Sequence, residues 1–344
     1  MVIIVVNTYY LSYLFTPLMK IIITGAAGFI GSHLSAKLLQ LNYEVVAIDD
    51  LSTGSLENLN TIQDNPNLTI IISDIRNQKA WEQVAFKDDV IIHLAATVGV
   101  KKVCVDSHET LSNNLDGTSA VLDIAFRKGC KVFYASTSEV YGQSDNTSLS
   151  ETDTLSVTST DKGRSSYVIS KLTGEIHCLN FHQLKNVPVI VARFFNVIGE
   201  NQRSEFGMVI PTFIDAALSG KPLVLYNDGS QRRSFCYIDD VIRAIIGLIS
   251  ATDTWGNIFN IGNDKAITIS ELASYIMHKS ICTSEISYQS MPAERNGKSE
   301  IYSRLPSLDK IFRYINWKPE LSWQDAVDLI IAEHQKDTRS IEVL

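Results

Sequence analysis

Residues 21 to 31, Ile21-Ile22-Ile23-Thr24-Gly25-Ala26-Ala27-Gly28-Phe29-Ile30-Gly31, write a buried strand, a glycine turn and a helix start in one run. Three β-branched residues make the strand. Gly25 and Gly28 permit a tight turn and a close backbone approach to a pyrophosphate. Gly31 lets the helix that Phe29 and Ile30 open lie against the sheet. A second apolar strand, Glu44 to Ile48, ends at Asp49, roughly 20 residues beyond the glycines, where a carboxylate takes the ribose 2′-hydroxyl of a dinucleotide. An acid at that place favours NAD over NADP.

The same alternation continues. Apolar strands near Leu68–Ile72, Asp89–His93, Lys131–Ala135 and Val187–Ala192 are separated by helical stretches near Gln78–Ala85, Ser107–Lys128 and Tyr167–Gln183. Repeated βαβ units predict an α/β fold of Rossmann type: a doubly wound parallel sheet covered by helices, with its ligand crevice at the carboxyl ends of the strands. Residues 143–165, rich in Ser, Thr and Asp, read as a polar loop. Beyond Asn196 the alternation breaks into short strands, a Gly229-Ser230-Gln231 turn, and helices near Val209–Leu218, Asp239–Ile249, Ile269–Lys279 and Trp323–His334. The expected organisation is a dinucleotide-binding domain over residues 19–195 and a smaller α/β substrate domain over 196–344, with segments returning to the first. Residues 1–18, apolar but broken by Asn7, Thr8, Ser12 and Pro17, read as an N-terminal extension; they lack a basic leader and a cleavage site, and a membrane anchor is the lesser reading.

The 344 residues carry 30 basic and 38 acidic side chains, a net charge of −8. With no Lys/Arg cluster, this balance argues against nucleic acid or an anionic membrane as partner and leaves room for a basic pocket for a small anion. Cys104, Cys130, Cys178, Cys236 and Cys282 form no Cys-x-x-Cys pair, which fits a reduced cytoplasm and core positions. The histidines show no ligand spacing, so no metal site is expected.

Tyr167-Val168-Ile169-Ser170-Lys171 places a phenol and an ammonium four residues apart on one helical face. For a tyrosine base to work near neutrality its pKa, near 10, must come down to about 7, roughly 4 kcal/mol, which Lys171 and a positive nicotinamide supply together. Thr137, at the end of the strand that begins at Lys131, adds a hydroxyl to the same reacting oxygen.

At these residues the chain resembles the extended short-chain dehydrogenase/reductases, in particular the NAD-dependent nucleotide-sugar epimerases, dehydratases and decarboxylases. The resemblance covers about residues 19–335. It rests on Thr-Gly-x-x-Gly-x-x-Gly at 24–31, Asp74-Ile75, His93-Leu94-Ala95-Ala96, Asn114, Ser136-Thr137-Ser138-Glu139-Val140-Tyr141-Gly142, Tyr167 with Lys171, Arg193-Phe194-Phe195-Asn196, Gly199 and Arg233-Ser234-Phe235. It implies NAD as cofactor, with Asp74 and Ile75 at the adenine, Ala95 and Ala96 along the cofactor diphosphate, and Asn114 beside them. It also implies Tyr167, Lys171 and Thr137 as the catalytic threesome, and Asn196, Arg233 and Arg295 on the diphosphate of a nucleotide-sugar substrate, where guanidinium groups suit phosphate oxygens.

The resemblance further implies a 4-keto sugar intermediate with the cofactor regenerated in each cycle. Ser138 and Glu139 look like the acid/base residues used beyond C4, a pattern similar to UDP-glucuronate decarboxylases and some 4,6-dehydratases. Arg304-Leu305-Pro306 resembles the segment that supplies a decarboxylase's catalytic arginine. Residues 97–106 look more like an epimerase loop, and Glu139 and Arg304 as structural residues stay open. The ranking is decarboxylation, then 4-epimerisation, then 4,6-dehydration, with a non-catalytic NAD-binding regulator as the competing class. Many relatives pair two long helices from each subunit. A homodimer is therefore expected through Ser107–Lys128 and Tyr167–Gln183, with Leu115, Val121, Leu122 and Ile124 split between core and partner.

Overall fold

The computed structural model describes residues 20–98, 103, 106–144, 148–157, 163–202, 204–280, 284–290 and 304–342. The extension 1–18, Arg295, Cys104, Cys282 and most of the 97–106 loop lie outside them. Seven parallel strands form the main sheet: β1 (Lys20–Thr24), β2 (Glu44–Asp49), β3 (Leu68–Ile72), β4 (Val90–His93), β5 (Lys131–Thr137), β6 (Val189–Phe194) and, after a long excursion, β11 (Asn257–Ile261). Their order is β11-β6-β5-β4-β1-β2-β3. The chain runs outward from β1 through β2 to β3, then resumes at β4 on the other side of β1. The crevice between the carboxyl ends of β1 and β4 is therefore the point at which such a sheet accepts a ligand.

The β1 isoleucines show how the sheet is buried. Ile21 and Ile23 enter one core with Leu34 and Leu38 of α1 (Phe29–Gln40) and Val241, Ile245 and Leu248 of a later helix, Ile238–Ser250. Ile22 enters the opposite core with Val121 and Leu122 of α2 (Ser107–Lys128) and Cys178 and Phe181 of α3 (Gly163–Lys185). Both faces are covered, as an unbroken apolar strand requires.

Between β6 and β11 lie β7 (Val197–Ile198), α4 (Val209–Leu218), β8 (Leu223–Tyr226), β9 (Arg232–Ser234), β10 (Cys236–Tyr237) and α5 (Ile238–Ser250). After β11 come β12 (Ala266–Thr268), α6 (Ile269–Ser280), β13 (Ile286–Gln289), α7 (Asp309–Ile315) and α8 (Trp323–Glu342). They form three two-stranded pairs, β7 with β10, β8 with β13 and β9 with β12. The Arg304 segment is fastened to the body at Leu149. Leu149 N donates to Leu305 O, and Ser307 N and Asn260 Nδ2 donate to Leu149 O, all at 2.8 Å.

Two local expectations change. Residues 78–85 form two short 3₁₀ turns, Gln78–Ala80 and Glu82–Val84, instead of an α-helix. Trp81, fully buried between them, donates from Nε1 to Ile75 O at 3.0 Å. So short a segment gains little from propagating a helix, and one large side chain decides its path. The helix bearing Tyr167 begins at Gly163, which takes Arg164 out of the expected loop and onto the helix's first turn.

Candidate active site

The crevice is a cleft of about 560 Å³ that runs from the glycine turn past Asp49 and Asp74 to Thr137, Tyr167 and Lys171. At its floor Gly25 has φ +74°, and a Cβ there would meet Ala95 N at 2.8 Å. A Cβ on Gly31 would stand 2.2 Å from Gly25 O. The turn, the strand after it and the helix are thus packed backbone to backbone. No side chain caps the N-terminus of α1 at Gly28, so its first amides face the cleft. Asp49 accepts from Ala27 N at 2.9 Å and Leu51 N at 2.8 Å, which fixes the carboxylate at the cleft wall with lone pairs left for ribose hydroxyls. Asp74 and Ile75 line the same end, Asp74 held by a fork from Arg76 that keeps its carboxyl below the usual range. Ala95, Ala96 and Asn114 line the middle, with Asn114 accepting from Thr97 N at 2.7 Å and donating to Ser170 Oγ at 3.0 Å. This cradle fits a dinucleotide along its whole length.

At the other end Lys171 Nζ donates to Ala135 O at 2.7 Å, and burial pushes its ammonium down to about 8. Thr137 hydrogen-bonds Tyr167, which favours the phenolate. Burial and the Glu139 carboxylate outweigh it, with Arg164 a weaker counterweight, so the protein's own groups raise the phenol's pKa. Lys171 gives one of its three donors to the Ala135 carbonyl and keeps two for a ribose.

Behind the threesome stands a buried ionic frame. Glu175, one turn beyond Lys171 on α3, receives Arg193 Nε at 3.0 Å and Nη2 at 2.7 Å and also accepts from Ser136 Oγ; Glu175 and Arg193 are each 2% exposed. His93 at the end of β4 is paired with Thr24 at 2.7 Å and Thr118 at 3.2 Å, and burial holds it neutral, down at about 3. These contacts tie the ends of β1, β4, β5 and β6 to α2 and α3, so the residues that meet at the cleft are held by rigid elements.

Glu139 follows Ser138 in the short turn after β5 and lines the cleft; Ser138 is buried and does not. Arg164 grips Glu139 with both arms, Nε to Oε2 at 2.8 Å and Nη2 to Oε1 at 2.6 Å. Arg164 was not foreseen, although its place one helical turn before Tyr167 was a readable signal. Arg304 reaches Gly142 O at 3.5 Å, while its buried Nε has no hydrogen-bond partner among the described residues. Burial pushes its guanidinium down to about 10, the Glu139 charge opposes that, and Arg164 and Arg233 add to it. Arg164 and Arg304 therefore both act on the Glu139 carboxylate, and Arg233 acts on Arg304 behind them. Arg164, Arg233 and Arg304 do not line the cleft itself. Asn196 does, and its Nδ2 donates to Ser234 O at 2.9 Å, next to Arg233 in β9. No group of His, Cys, Asp and Glu among the described residues could hold a metal ion.

The model of the NAD-dependent epimerase/dehydratase family matches residues 21–262. The chain belongs to that family. It is 35% identical to a UDP-N-acetyl-alpha-D-glucosaminuronate decarboxylase of Bacillus cytotoxicus, over 90% of this chain and 95% of the relative. It is 31% identical to UDP-glucuronic acid decarboxylase 1 of Arabidopsis thaliana, over 92% and 69%. Among solved structures, a UDP-glucuronic acid 4-epimerase from Bacillus cereus, in complex with UDP-glucuronic acid and NAD, is similar at a TM-score of 0.82 and 29% identity, covering 92% of this chain and 99% of that one. Family membership makes this chain an NAD-dependent enzyme, in keeping with the fold and the cradle.

Proposed function

We propose that this enzyme acts on a UDP-hexuronate and decarboxylates it through a 4-keto intermediate. The observation that carries the reading is the surplus of positive charge at Glu139, where the Arg164 and Arg304 guanidinium groups both act on one carboxylate beside the reacting phenol. A neutral hexose calls for no such surplus; a sugar carboxylate, or the enolate left when it departs, does. All three relatives described above carry a hexuronate in their names.

NAD, held along Asp49, Asp74, Ile75 and the Ala95–Ala96 backbone, would supply the acceptor for the C4 hydride and its return. The chain's own residues move the protons and hold the charges. Tyr167, aligned by Thr137, takes the C4 hydroxyl proton, and Lys171 holds the ribose and the helix face in place. The ketone at C4 makes the C6 carboxylate a β-keto acid. The C5–C6 bond then breaks, carbon dioxide leaves, and the electron pair passes into a C4–C5 enolate under the field of Arg304 and Arg164. A proton returns at C5, for which Glu139, lining the cleft beside Tyr167, is the proposed donor, and Tyr167 reprotonates the C4 oxygen on reduction. Asn196, Arg233 and Arg295 are the proposed diphosphate contacts, while Asp49, Asp74, Ile75 and the Ala95–Ala96 backbone are proposed for the cofactor.

The second reading, 4-epimerisation of the same hexuronate, is favoured by the Bacillus cereus structure and by the epimerase-like residues 97–106. Incubation of the holoenzyme with UDP-glucuronate and its N-acetylamino counterpart, followed by mass spectrometry and proton NMR, decides between them. Loss of carbon dioxide is the expected result. An unchanged mass with an inverted C4 proton would make it an epimerase, and loss of water a dehydratase.

A homodimer belongs to the same proposal. Of the four residues expected to be split between core and partner, Val121, Leu122 and Ile124 are fully buried in the core and Leu115 is half-buried. Leu184, Ile176 and Phe126 on α3 and α2 are exposed at 79%, 54% and 49% and join Leu115 as the candidate contact. Cytoplasmic placement is supported by Cys130, Cys178 and Cys236, which are buried and unbonded to one another. No helix among the described residues is long and apolar enough to cross a membrane.

A further inference from the structure

Glu139 sits where burial works against its charge, yet its carboxyl is held below the usual carboxylate range, chiefly by Arg164 and also by Arg304. The two arginines differ in kind. Arg304 acts on Glu139 only through space. Arg164 makes two parallel, charge-assisted hydrogen bonds, one to each carboxylate oxygen, a geometry that fixes the plane of the group as well as its charge. The fork is half exposed on the Arg164 side, with 50% of that side chain accessible against 20% for Glu139, so incoming solutes can compete for the guanidinium. Both members also act on Tyr167: the carboxylate raises the phenol's pKa and the guanidinium lowers it.

We propose that Arg164 is a positioning residue for Glu139, fixing its carboxylate in the ionised form beside Tyr167, and that a substrate carboxylate releases Glu139 by competing for the same guanidinium. Once released, Glu139 keeps its largely buried place without the fork, and burial then favours uptake of a proton from solvent water, giving the protonated form that delivers that proton to C5. The substrate's own carboxylate thereby arms the acid that acts after carbon dioxide is lost. A sugar nucleotide without that carboxylate binds to an enzyme whose Glu139 stays clamped. The release step rests on the hexuronate reading; the clamp does not.

Arg164 lies at the start of α3 and is half exposed, so Arg164→Met is not expected to unfold the protein, and NAD binding serves as the control. The first measurement is the carboxyl 13C NMR titration of glutamate-labelled protein without substrate, with the Glu139 signal assigned by its loss in Glu139→Gln. Glu139 should titrate at higher pH in Arg164→Met than in the parent, with Arg164→Lys in between because it keeps the charge and loses the fork. Superimposable Glu139 titrations in the parent and Arg164→Met overturn the clamp, whatever the enzyme's substrate is. The second measurement is the pH profile of turnover on the hexuronate that the product assay identifies. Arg164→Met should raise KM for the hexuronate at least tenfold, because the guanidinium that receives its carboxylate is gone, and should move the alkaline limb upward, because Glu139, which acts in its protonated form, then keeps its proton to higher pH; an unchanged KM with an unmoved alkaline limb overturns the release step. Glu139 should also shift upward in the parent on adding a UDP-hexuronate and stay put on adding UDP-glucose. Equal response to the two sugars overturns the release step. A failure of the hexuronate reading itself would appear separately, as intact substrate in the product assay with a normal clamp by NMR.

Discussion

Lys171 is fully enclosed, and burial brings its ammonium from 10.5 in the unfolded chain down to about 8, with the Glu175 charge opposing that only in part. Between those two values the unfolded chain binds more protons than the folded one, so this group's contribution to stability rises with pH across the interval. Below about 8 the cost of burying the charge is present in full. Lys171→Met should therefore abolish turnover and yet raise the thermal midpoint of the cofactor-free protein at neutral pH, less the roughly 1 kcal/mol for the hydrogen bond lost at Ala135 O. The gain should shrink as pH climbs toward 10.5. Thermal melts of parent and variant across that range check it, and a difference that does not vary with pH would contradict the picture of a buried, charged lysine. The four-residue spacing from Tyr167 was legible in the chain. That Nζ would donate to the Ala135 carbonyl was not, because it depends on where β5 ends relative to the helix.

At the scale of elements, the strand–turn–helix unit was readable because its constraints are local. Gly31 has a periodicity and a motif to announce it, and the structure adds the distance that makes it obligatory. A Cβ there would lie 2.2 Å from Gly25 O and 2.7 Å from Ala26 Cα, both backbone, so neither can swing aside. Gly31→Val should push α1 off the sheet, abolish NAD binding by calorimetry and lower the thermal midpoint; a variant that binds NAD as the parent does would show that the close approach is unnecessary. Residues 78–85 were misread for the opposite reason. Their helical pattern was weak, and the buried Trp81 indole with its bond to Ile75 O, a tertiary event, set two 3₁₀ turns in place of a helix. The start of α3 at Gly163 was likewise hidden in a polar run, and with it went the clue to Arg164.

For the whole molecule, the two long helices α2 and α3 pack against each other and bury Val121, Leu122, Ile124 and Cys178 in one core with β4 and β5. What they leave outward includes Leu184, Ile176 and Phe126, with Lys185 Nζ 4.7 Å above the Phe126 ring. An apolar set of this size on two adjacent helices is what a symmetric partner would cover. Light scattering at micromolar concentration should give a dimer, and Ile176→Glu with Leu184→Glu should give a monomer that keeps its NAD affinity; a parent that is monomeric would remove this surface from the account.

The chain by itself determined the alternation of strands and helices, the dinucleotide turn, the acid at Asp49 and the pairing of Tyr167 with Lys171. Each of these is written within a few residues and enforced by local sterics and helical or strand periodicity. Only the tertiary structure decided that Glu139, Arg164, Arg233 and Arg304 share one charged cluster, because they come from the turn after β5, the start of α3, β9 and the segment before α7. No local rule relates those places. They meet because the doubly wound sheet sends β5 and α3 to the same crevice, and because Leu149 fastens the Arg304 segment beside it. The charge balance at Glu139 is thus a property of the fold, carried by residues that are ordinary when read one at a time.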